Sequence, residues 1–132
     1  MNSAKLFVLK KLIKFVCERC RSYRDVFARS LSGTSINLRC TDIGFNFNIK
    51  INHDGAVIPR WHLDEESDIT LSARLHIWRE IFTGKLDYKR AYLTGLLRCQ
   101  GSIIRLLKGS VVMSTIMKIL QDLNLSSILQ KL

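Results

Sequence analysis

The hydrophobic period of this chain switches from helical to two-residue alternation at Ser32-Gly33, and that switch sets its fold class. Before it, Leu6, Leu9, Ile13, Val16, Cys20, Tyr23 and Phe27 recur at steps of three and four. That spacing predicts one continuous amphipathic helix over residues 3–31, with Val8, Leu12 and Phe15 widening the stripe in its first half. Gly33 supplies the left-handed conformation that ends it. After the switch, Ile36, Leu38 and Cys40 alternate with Asn37, Arg39 and Thr41. Then Ile43, Phe45, Phe47, Ile49 and Ile51 alternate with Gly44, Asn46, Asn48 and Lys50. Such alternation belongs to strands with one buried face.

Asp54-Gly55 marks a hairpin turn into a third strand over residues 56–63, and Pro59 assigns that strand to an edge or a bulge. Asp64, Glu65 and Glu66 form an exposed acidic connection to a fourth strand over residues 68–73. Leu71, Leu75, Trp78 and Phe82 then share a helix face ended by Gly84. Residues 91–100 read as a fifth strand, and a long helix follows from residue 102. The predicted class is α+β: a five-stranded, mostly antiparallel sheet covered by helices. A chain of 132 residues supports one such core.

The last helix is apolar over most of its circumference, from Ile103, Ile104, Leu106 and Leu107 through Val111, Val112 and Met113 to Ile116, Met117, Ile119 and Leu120. One sheet covers one side of a helix. The other side calls for a partner protein, a second copy forming a homodimer, a membrane or a ligand inside the fold. Charge narrows the partners. The net charge is +10, and residues 3–31 carry eight basic residues against Glu18 and Asp25. That balance suits an anionic surface, and Lys5, Lys10, Lys11 and Lys14 are the candidate contacts with a membrane. No apolar run reaches the roughly 18–20 residues of a membrane-spanning helix. The opening residues lack a signal-type cleavage site, so the expected location is cytoplasmic, peripheral at the inner membrane face.

Catalytic patterns are missing. The stretch Lys85, Tyr88, Lys89, Arg90 and Tyr92 mixes charge and aromatics as nucleic-acid surfaces do, yet it carries no phosphate-loop motif and reads as a solvated turn. His53, His62 and His76 are scattered, and the Cys17-x-x-Cys20 pair lies inside a helix, as buried thiols do. The sequence therefore predicts no enzyme, no metal and no cofactor.

Residues 68–117 resemble the sterol carrier protein-2 type lipid-binding domain family. The likeness rests on Asp68-Ile69-Thr70-Leu71, Gly84-Lys85-Leu86-Asp87, Ala91-Tyr92, Gly95, Leu97 and Gly101, and extends over residues 31–120. Upstream, Leu31, Gly33, Asp42, Ile43, Gly44 and Phe45 are similar to the bacterial accessory subtype of ubiquinone biosynthesis. The resemblance implies a curved sheet and helices enclosing a hydrophobic tunnel for sterols, acyl chains or isoprenoid quinone precursors, which the subtype presents to biosynthetic enzymes. It places Gly95 in a strand and Gly101 in its exit turn. It divides the chain into a basic helix, residues 1–31, and a lipid-binding domain, residues 32–132. Phe45, Phe47, Ile49, Leu71, Leu75, Trp78, Phe82, Leu93, Leu97, Ile104, Leu107, Val111 and Met117 are the expected lining. The alternative is a basic adaptor that binds nucleic acid or protein and holds no lipid; a steep salt dependence on RNA or DNA would mark it.

Overall fold

In the computed structural model, which describes residues 3–101 and 103–122, helical and alternating segments meet across one sheet face. The elements run α1 (Ser3–Arg19), a 3-10 turn (Cys20–Tyr23), α2 (Arg24–Ser30), β1 (Ser35–Cys40), β2 (Phe45–Ile51), β3 (Val57–Arg60) and β4 (Ile69–Ala73). Then follow α3 (Leu75–Phe82), α4 (Tyr88–Leu93), β5 (Arg98–Gly101) and α5 (Ile103–Asp122). The five strands form one open sheet in the order β3-β2-β1-β4-β5. Three pairings are antiparallel, and β1 runs parallel to β4 at its centre. Pro59 lies in edge strand β3, where its missing donor costs no ladder bond.

Register puts the alternating residues on one face. Leu38 lies opposite Phe47 and beside Leu71, and Ile36 lies opposite Ile49 and beside Ile69. This inner face packs under α1, α3 and α5 around buried Val16, Phe27, Trp78, Val112 and Ile116. Gly55, at φ 85, brings the β2–β3 hairpin against α2 so tightly that an added Cβ would run into the Arg24 carbonyl. Arg24 also pairs with Asp54 at 3.1 Å.

Four local expectations need correction. The first helix is interrupted at Cys20–Tyr23, where the tighter turn buries Cys20 and redirects Phe27 into the core. Leu71 belongs to β4, because α3 begins only at Leu75. Residues 88–93 are helical. The Asp87 side chain accepts the Lys89 amide, and the Gly95 and Leu96 amides close the helix end on the Tyr92 and Ala91 carbonyls. Gly95 (φ 81) is thus a helix cap with open space around it, whereas Gly101 is the site of close approach, its missing Cβ leaving room for the Asp68 carbonyl.

The outer sheet face departs from the simple pattern as well. Asn37 and Asn48, which alternation assigns to solvent, are buried at 4% and 0% exposure under residues 61–68. The Asn48 amide nitrogen donates to Ser35 and Asn37, each at 2.9 Å, while its oxygen accepts two bonds from Arg60 at 2.7 and 2.9 Å. Asn37 donates to the Asp64 carbonyl and Ser67 and accepts the Asp64 amide. Asp64 is therefore a half-buried partner of Ser35 (2.7 Å) and Arg60 (3.2 Å), while Glu65 and Glu66 stay exposed. A buried amide needs all four of its bonds met, and both asparagines meet theirs.

Candidate functional site

Between the inner sheet face and the helices lies a chamber of about 100 Å³, partly open to solvent. Its floor is Leu38, Cys40, Phe45, Phe47 and Ile49 from β1 and β2. Leu9, Leu12, Ile13, Val16 and Cys17 of α1 form one wall, Leu75, Trp78, Arg79 and Phe82 of α3 another, and Met113 and Ile116 of α5 close the far side. The surface is almost wholly apolar; Arg39 belongs by register to the opposite face, and neither it nor Arg79 adds polar surface to the chamber. Close-packed interiors rarely keep apolar space of this size.

The walls are fixed by few bonds. Asp42 reaches from the β1–β2 turn to accept the amide of Leu75 at 2.9 Å, capping α3 from outside its own chain segment. That bond holds the Asp42 carboxyl below the usual range. The Trp78 indole donates to the Arg39 carbonyl at 3.0 Å and stacks on Phe82 at 5.6 Å. On the α1 side contact is looser. Leu9, Leu12 and Ile13 are only half-buried, and Lys10 lies 5.4 Å from the Trp61 ring, which in turn meets Phe47 at 6.2 Å. Two thiols line the chamber. Burial pushes both Cys17 and Cys40 up to about 12, so neither is a nucleophile at neutral pH.

Of the thirteen residues expected to line a lipid space, Phe45, Phe47, Ile49, Leu75, Trp78 and Phe82 border the chamber. Leu71 and Leu97 are buried elsewhere in the core, and Met117 packs against that core. Leu93, Ile104, Leu107 and Val111 face outward, at 81%, 71%, 66% and 44% exposure. For the three on α5 the correction has a physical cause: a helix apolar all round carries no period that tells its inner side from its outer one; Leu93, expected in a strand, ends α4 instead. The α1 wall was missed because its stripe has the spacing of any packed helix. Its one signal was surplus width, from Leu12 beside Leu9 and Ile13.

The structure is that of a small α+β domain, an open five-stranded sheet roofed by helices over an apolar chamber. The chain belongs to the SCP-2 sterol transfer family, whose model matches residues 13–114, from α1 into α5. No curated protein matches it by sequence. Among solved structures, sterol carrier protein domain 2 of Helicoverpa armigera is similar, with a TM-score of 0.62 at 19% identity over 89% of this chain and 94% of that one. The ubiquinone synthesis protein UbiJ-SCP2 matches at a TM-score of 0.58 and 12% identity, over 86% of this chain and 90% of that one. The sec-alkylsulfatase Pisa1 from Pseudomonas sp. matches at 0.50 and 19% identity over 65% of this chain. This chain spans 15% of that enzyme's length, and 13% of its double mutant's. At these identities the likeness is one of fold.

Proposed function

We propose that this protein binds a lipid by its hydrocarbon part in the chamber and hands it on without chemical change. The observation that carries this reading is the apolar void itself, bordered by aromatic and aliphatic side chains with no polar group to orient a small polar substrate. Burial contributes about 25 cal/mol per Å² of apolar surface, so an acyl or prenyl tail binds without a specific polar contact. The looser α1 wall gives the tail a way in. The fold shared with UbiJ-SCP2 supports an isoprenoid quinone precursor as the guest, delivered to the enzymes that modify it. The outer side of α1 supports work at an anionic membrane, since exposed Lys11 and Lys14 stand beside exposed Phe7 and Phe15. Among the described residues no helix is long and apolar enough to cross a membrane.

Native mass spectrometry of freshly purified protein tests the cargo. The expected result is a one-to-one adduct whose mass identifies a lipid, exchangeable for an added prenyl or acyl probe. Protein that arrives empty and takes up no probe would end the proposal.

A further inference from the structure

We infer that the turn joining α4 to β5 is a membrane-contact tip that places Tyr92, Leu93 and Leu96 in an anionic lipid surface. Leu93 is the most exposed large apolar side chain among the described residues, at 81%, and Tyr92 and Leu96 are about half exposed at 49% and 47%. A lone exposed leucine needs no explanation. Three such side chains on one rigid turn do.

The turn is built to hold them out. Asp87 caps α4 at its start, accepting the Lys89 amide at 3.1 Å. At its end the Leu96 amide bonds to the Ala91 carbonyl at 2.9 Å and the Gly95 amide to the Tyr92 carbonyl at 3.2 Å, with Gly95 in the left-handed conformation this closure needs. Ala91 and Leu97, at 0% and 2% exposure, anchor both flanks in the core. Leu93 and Leu96 therefore stand outside a fixed frame.

The charge around the tip decides its partner. Lys85, Lys89, Arg90 and Arg98 are all exposed. Among residues 85–98 the one acid is Asp87, whose carboxylate is already engaged as the cap. Exposed aliphatic side chains flanked along the chain by exposed cations fit a bilayer carrying anionic headgroups, with the leucines entering the acyl boundary and the cations meeting phosphates. Nucleic acid would use the same cations but stacks on aromatic rings, and Leu93 and Leu96 offer it nothing. This contact depends neither on the cargo nor on α1.

The test is co-sedimentation of the full chain with vesicles of phosphatidylcholine alone and of phosphatidylcholine mixed three to one with phosphatidylglycerol. Binding is expected to the mixed vesicles and to weaken with added salt. The L93S/L96S double variant should lower the partition coefficient at least tenfold while its circular dichroism and melting temperature stay those of the parent, because both side chains are already exposed. A Leu93→Trp variant should be quenched by brominated lipid more strongly than the parent, whose own tryptophans are buried or half-buried. The inference is overturned if the parent ignores anionic vesicles, or if L93S/L96S binds them as the parent does. It is equally overturned if binding disappears only on Lys11→Ser/Lys14→Ser substitution in α1, or if the tip proves to retain RNA and not vesicles.

Discussion

On one face of β1 and β2, Leu38, Phe47 and Ile49 border empty space; on the other, Asn37 and Asn48 have every amide donor and acceptor matched. The same two strands thus support a soft side and a stiff side. Apolar contact is non-directional, so the walls of the chamber can shift by fractions of an ångström at little cost when a guest arrives. Hydrogen bonds are directional, and a network with each partner satisfied has one geometry. The contrast teaches that the protein keeps its floor still by polar chemistry so that its roof need not be tightly packed.

The strongest attack on that contrast is Asn48→Ala. It takes from Arg60 the Asn48 oxygen and leaves it Asp64 alone, and it leaves Ser35 and Asn37 each short of a donor in a buried site, so stability should fall by about 3 kcal/mol in urea denaturation. A loss below about 1 kcal/mol would mean that the outer network is decoration. Val16→Phe probes the other face by placing a ring in the chamber. Filling a void offsets the strain of overpacking, so stability should change by no more than about 1 kcal/mol. Retained lipid, read by native mass spectrometry, should fall at least tenfold. Retention at the parent level would show that the guest sits elsewhere.

A smaller effect sharpens the comparison through pH. The Ser35 hydroxyl, the Glu66 amide and Arg60 hold the Asp64 carboxyl below its ordinary value. A depressed carboxylate lends the fold stability that is complete above the unfolded value of about 3.9 and lost as pH falls through the folded one. Acid titration should therefore unfold the parent more steeply below pH 4 than Asp64→Asn, which starts weaker but has less to lose. Parallel curves for the two proteins would remove Asp64 from the account.

The alternating strands were legible because a half-buried sheet writes its inner face at every second residue: Ile36, Leu38, Phe47 and Ile49 each fall where the spacing put them. The edge placement of Pro59 and the hairpin at Asp54-Gly55 were equally local. What stayed hidden depends on distant partners. Asn37 and Asn48 look like solvent-facing residues until Asp64, 27 residues beyond Asn37, folds back over them. Tyr88 and Tyr92 favour a strand by propensity, yet the Asp87 cap and the Gly95 closure make a helix. Six of the seventeen residues that border the chamber were readable, all from β2 and α3. Most of the rest comes from β1, α1 and α5, and the inward sides of the two helices are selected only by the assembled fold.

The chamber joins the first described element, α1, to the last, α5. α1 precedes the sheet and supplies one wall; Met113 and Ile116 of α5 follow all five described strands and supply the opposite one. Until α5 docks, the inner faces of β1 and β2 form an open greasy trough, the kind of surface that chaperones guard on a nascent chain.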